Sequence, residues 1–227
     1  MMFKYNPRPW ISHQLEVNRL HLARPDALLR LAGLGLLTGL IAGAVIVLFR
    51  LLVEQTQEMI LPGTGAENYE ALPLWARFAL PIFGGLLLAV MFRWGARGLY
   101  VLGVARVMER MAYHQGHLTM RGFLLQFFGA AIAIISGHSV GREGPHIFLG
   151  AAAGSLLAQR LSLPNNTVRT LVGCGTAAGI AASFYPPLAG VIFALEVVML
   201  DYSLASVMPV ILSAVGATVL SNLVLGQ

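Results

Sequence analysis

The chain has 227 residues, of which 57% are hydrophobic and 11% charged, and its formal net charge is +5. Soluble domains average about 25% charged residues, so this composition, with a mean hydropathy of +0.73, excludes most of them and points to a membrane protein. So few charges cannot make a phosphate-tracking surface, which excludes nucleic acid as a partner; the basic balance fits anionic membrane lipid instead.

Residues 1–26 read as a cytoplasmic basic amphipathic arm with Lys4, Arg8, Arg19 and Arg24, too polar for a secretory signal peptide. Residues 27–227 read as one membrane domain. The uncharged stretch 31–49 lies between Arg30 and Arg50 and is long enough to cross about 30 Å of hydrocarbon. Residues 54–76 read as a polar loop with four glutamates and no basic residue, and 78–92 as a second span. Residues 93–121 carry five arginines against the single acid Glu109. The alternation of arginine-rich and arginine-free loops places the N-terminus in the cytoplasm by the positive-inside rule. Beyond Arg121, apolar segments at 122–140, 145–159, 167–183, 187–200 and 203–225 are separated by glycine and proline rather than by polar loops. Several are too short to cross upright. Broken helices of this kind are tolerated where their irregular backbone is buried or lines a watery cavity.

Between two uncharged stretches sits Gly141-Arg142-Glu143-Gly144-Pro145. Ionisable groups at that depth are costly and default to a functional reading. Proline suits the first turn of a helix, and glycine lets backbone approach a ligand. The run therefore predicts a helix N-terminus inside the membrane, its free N–H groups facing an anion.

This motif resembles the signature of the CLC family of chloride channels and proton–chloride antiporters. The likeness continues through the small-residue run from Gly173 to Gly179, through Pro186-Pro187-Leu188-Ala189-Gly190, and through Phe193-Ala194-Leu195-Glu196. It implies an all-α polytopic membrane protein with broken and tilted helices, forming the first of two inverted repeats. It implies chloride as the substrate, Glu143 as the gate, and Gly141, Arg142, Gly144 and Pro145 as the surrounding anion site. Arg142 is expected to raise the local positive potential. The family's G-S-G-I-P stretch falls on Val101-Leu102-Gly103-Val104-Ala105, so Leu102 and Gly103 can offer amides to the ion, without a hydroxyl. Where family antiporters carry two adjacent glutamates, this chain has Glu196-Val197, which resembles the channel members. Glu196 is expected to be buried and paired, as a proton-path or structural group. The family's second-repeat signatures are absent, so a second repeat, in the same or another chain, is an expected partner. Family dimers imply that 188–224 contributes to a homodimer interface. The expected location is a bacterial inner membrane.

The reading requires no catalytic step, no metal and no cofactor. A competing reading is a non-transporting membrane subunit that keeps the scaffold without a full pore. Gly137-His138-Ser139-Val140-Gly141 also matches the G-x-S-x-G elbow of hydrolases. After Ser139, however, the only histidine is His146, which precedes Glu196 and Asp201, and no soluble strand-turn-helix context surrounds the motif. Ser139 reads instead as a helix-packing serine. His114 and His117 read as a polar turn, His138 and His146 as hydrogen-bonded core histidines, and Asp201 as a helix cap. Gly33, Gly35, Gly39 and Gly43 read as a close-packing face.

Overall fold

The computed structural model describes residues 28–61, 68–96, 102–184 and 186–226. The arm expected at 1–26 lies outside them. Every long element among the described residues is helical. In chain order they are α1 (Leu28–Ile60), α2 (Leu74–Gly95), α3 (Val104–Tyr113), α4 (Met120–Ile135), α5 (Glu143–Arg160), α6 (Asn165–Phe184), α7 (Pro187–Phe193) and α8 (Leu204–Leu225). A short 3₁₀ turn, Tyr69–Ala71, precedes α2, and a π-helical turn, Ala194–Met199, continues α7.

Among the described residues, three helices are long and apolar enough to cross a membrane: Leu28–Ile60, Leu74–Gly95 and Ala205–Leu225. At 1.5 Å per residue the 33 residues of α1 reach about 50 Å, well beyond the hydrocarbon thickness. The helix thus takes in residues 54–60, which polarity alone assigns to a loop. Val53 and Gln57 are buried there, so tertiary packing holds the last turns in place. The 16 residues of α4 span only about 24 Å, as expected of a broken helix. It ends at Ile135, short of the apolar stretch that continues to Val140. The region 93–121 contains a helix that loop charge does not reveal, α3, whose Val107 and Met111 are buried.

The helix α6 lies at the centre. Fifteen of its 20 residues are buried, and it packs against α1, α5, α7 and α8. Between apolar helices in an apolar solvent, association relies on close van der Waals contact, which small side chains permit. Gly150 of α5 and Gly175 of α6 place their backbones so close that a methyl group on either meets the other's carbonyl oxygen. Along α1, Gly35 and Gly39 lie against the backbone of Pro209 and Ser213 in α8, and Gly43 lies against Ala217. A methyl group on Gly33 would meet nothing within 4 Å, so Gly33 does not belong to that packing face.

Buried hydroxyls tie the helices together. Ser155 donates to the Gly116 carbonyl at 2.7 Å and accepts from the Leu118 amide at 2.8 Å. Ser213 and Ser221 donate to the carbonyls of Cys174 and Ala182. In contrast, α2 buries only Gly84 and presents Phe78, Ile82, Phe83, Leu86 and Trp94 outward, as lipid contact requires.

Candidate functional site

The Gly141–Pro145 motif opens α5. Arg142 is the N-cap residue and Glu143 the first helical residue. The first helical bond at this end runs from the His146 amide to the Arg142 carbonyl at 3.2 Å. Pro145 has no N–H, so the orphan amides of this turn belong to Glu143 and Gly144. Among the described residues, a methyl group on Gly144 meets nothing within 4 Å. In a hydrated, partly buried site, such a helix end favours an anion by about 0.5–2 kcal/mol.

The Glu143 side chain is exposed. It folds back toward Gly141, with Oε2 only 2.6 Å from the position a Cβ at Gly141 would take. Only glycine leaves that space. Arg142 lines two clefts. One, of about 290 Å³, is bounded by Gln57, Tyr69, Ile134, Gly137, His138, Val140 and Arg142. The other is narrow, about 10 Å³, and runs between α1 and α5 past Phe49, Arg50, Glu54 and His146.

The second predicted helix end is also present. Gly103 is the N-cap of α3, with φ of 76°, a conformation that favours glycine. Among the described residues, no atom lies within 4 Å of a Cβ built on it. Leu102 is half-buried and packs against the central core. The buried Val107 and Met111 of α3 share that core with Phe148 and Ala151 of α5, so the fold packs together the two helices that carry the anion-site residues.

Other expectations change. Glu196, expected to be buried and paired, is exposed. It lies in the π-helical turn, where the wider backbone repeat rotates side chains out of α-helical register. Ser139 is exposed in the connection between α4 and α5, so it packs no helix, and no strand-turn-helix elbow surrounds it. His138 is hydrogen-bonded as expected, its Nδ1 lying 2.9 Å from Ser136 Oγ. His146 is 3% exposed, yet neither ring nitrogen has a hydrogen-bond partner among the described residues. Its ring packs edge-on against Phe49 at 5.3 Å. Asp201, read as a cap, instead precedes the N-cap of α8, Ser203, and its side chain caps none of that helix's amides. Its carboxylate accepts from the Ser203 amide at 3.0 Å and from the Ser206 hydroxyl at 2.6 Å. These bonds, led by the one from Ser206, hold its pKa below the ordinary value. His114 and His117 form a turn, linked by an Nδ1-to-carbonyl contact of 3.2 Å. No cluster that could hold a metal occurs among the described residues.

Sequence reasoning also missed Tyr69. Its hydroxyl accepts from Gln57 Nε2 at 2.8 Å and donates to the carbonyls of Ile134 and Ile135, at 2.8 and 3.1 Å. A lone tyrosine in a polar loop gives no sequence signal for contacts 65 residues away.

Apolar helices, several too short to cross upright, packed around a buried small-residue helix, define an integral membrane protein. The chain belongs to the family described as voltage gated chloride channel, whose model matches residues 84–227. It is similar to a ClcB-like protein of Ralstonia nicotianae, 37% identical over 154 residues. It is also similar to the voltage-gated ClC-type chloride channel ClcB of Escherichia coli, 34% identical over 160 residues. Each alignment covers 66% of this chain and 36% of the relative. Among solved structures, a CLC-type fluoride/proton antiporter superposes with a TM-score of 0.71 at 26% identity, over 88% of this chain and 48% of that one. The chain thus spans about a third of the length of the curated relatives it matches.

Proposed function

We propose that this chain is the first repeat of an anion transporter and that Glu143 is its gate. One observation carries the reading: α5 begins at Glu143 beside a Gly144 whose Cβ position meets no described atom within 4 Å, while the Glu143 carboxylate lies toward Gly141. The carboxylate and a chloride ion compete for the same donors. When Glu143 swings away or takes up a proton, the anion occupies the amides; when it returns, it plugs them. Leu102 and Gly103 at the start of α3 offer a second set of amides for the ion.

A single exposed glutamate in the π-helical turn, followed by Val197, supports channel-like passage over strict proton coupling. The apolar side chains exposed on α7 and α8, among them Leu188, Ile192, Val219 and Leu223, support a homodimer contact within 188–224. A second repeat completes the pathway, the membrane is the bacterial inner membrane, and the N-terminus is cytoplasmic. The process needs neither an enzymatic step nor a cofactor.

Chloride efflux from liposomes tests the gate. With the complete transporter reconstituted, Glu143→Ala is expected to change the rate of efflux or its pH dependence. An unchanged rate and profile would remove Glu143 from the gate. If neither protein conducts above empty vesicles, the scaffold-only reading replaces transport.

A further inference from the structure

The connection between α4 and α5 carries the gate motif, and it is held from outside its own helices. Tyr69 comes from the 3₁₀ turn before α2, and Gln57 from the end of α1, where its side chain is 1% exposed. The amide of Gln57 donates to the Tyr69 hydroxyl, and that hydroxyl spends its single proton on the carbonyls of Ile134 and Ile135. Those carbonyls belong to the last turn of α4, where the Ile134 carbonyl also accepts from the Gly137 amide at 3.1 Å. The Tyr69 ring also covers Gly137, at φ 77°, leaving 3.1 Å between Cε1 and a Cβ built there. On the other side, Ser136 is pressed against Gly84 of α2. The chain from Ile134 to Gly137 is therefore held by two elements, the 3₁₀ turn and α2, the first braced by Gln57 of α1. The next five residues lead to Glu143, along the wall of the cleft that Gln57, Tyr69 and Arg142 line together.

We infer that Tyr69, with Gln57 behind it, is a positioning residue for the gate. Its hydroxyl sets the path of residues 137–142 and through it the resting place of the Glu143 carboxylate. The inference rests on the gate reading of Glu143. The other ionisable groups lining the two clefts beside Arg142 are His138 on the connection, Arg50 and Glu54 on α1, and His146 on α5. All of them remain in Tyr69→Phe.

The experiment uses the complete transporter in liposomes, with chloride efflux measured across a pH series. Tyr69→Phe keeps the ring and loses the hydroxyl's hydrogen bonds; it is expected to move the midpoint of the pH profile by about half a unit. Gln57→Met is expected to move it less, in the same direction. Both shifts are expected to vanish on a Glu143→Ala background, as coupled residues require. Val140→Cys reports the connection directly: modification of its thiol by a membrane-impermeant reagent is expected to be about threefold faster when combined with Tyr69→Phe. Unchanged efflux profiles in Tyr69→Phe, while Glu143→Ala alters efflux, overturn the inference and leave the gate standing. A shift that persists undiminished without Glu143 also overturns it. If Glu143→Ala itself changes nothing, the gate reading fails and takes this inference with it.

Discussion

Glycine at position 141 is defined by what lies against it. A methyl group there collides with the folded-back carboxylate of Glu143. Gly141→Ala is therefore expected to push that carboxylate out and to reproduce the efflux phenotype of Glu143→Ala, at unchanged thermal stability. A wild-type efflux profile in the alanine variant would show that the folded-back rotamer plays no part. Asp201 lies between the π-helical turn and α8, and its bonds from Ser206 and Ser203 lower its proton affinity in the folded chain. Between its lowered folded value and the ordinary value of 3.8, the unfolded chain binds more protons than the folded one. The stabilisation is thus complete above the ordinary value and is lost as pH falls through the folded value. Unfolding midpoints measured from about pH 3 to pH 7 should fall on the acid side, and less steeply in Asp201→Asn. The effect is modest because the carboxylate is largely solvated.

At the scale of elements, the pair α5 and α6 is the tightest joint in the fold. Gly175→Ala drives a methyl group into the Gly150 carbonyl, where neither backbone can yield without moving its helix. It is expected to destabilise by about 1–3 kcal/mol or more, read as a lower thermal unfolding temperature in detergent. Gly33→Ala makes the contrasting case. Its site is open, so the change is expected to stabilise α1 by up to about 1 kcal/mol through helix propensity alone. Both glycines sit in apolar helices and look alike in sequence. Periodicity identifies the α1 face correctly at Gly35, Gly39 and Gly43, and places Gly33 on it wrongly. The positions of Glu196 and of residues 54–60 are illegible for a related reason. Polarity predicts where a side chain prefers to be, whereas a π-helical turn and the burial of Val53 and Gln57 are set by neighbours distant in sequence.

For the whole molecule, the N-termini of α3 and α5 are open on one side, and the chain spans about a third of its curated relatives. In related folds built from inverted repeats, the ion site lies at the repeat interface. Residues 1–227 reconstituted alone are therefore expected to leak chloride no faster than protein-free vesicles. The same residues joined to a second repeat are expected to conduct. Efflux from residues 1–227 alone would overturn that expectation.

By itself the sequence determined the solvent of this protein, the order of its apolar segments and the start of α5. Those follow from local physics: hydropathy over some twenty residues, proline without an N–H, and glycine without a Cβ. The motif was legible because one short turn contains nearly all of its chemistry. Tertiary structure alone decided which glycines are contacts, where the Glu143 carboxylate rests, and that Tyr69 grips the end of α4. These depend on atoms brought together from distant positions: 66 residues apart for Tyr69 and Ile135, and farther still for Gly35 and Pro209. No local pattern encodes such a distance, because it is fixed only when the helices pack.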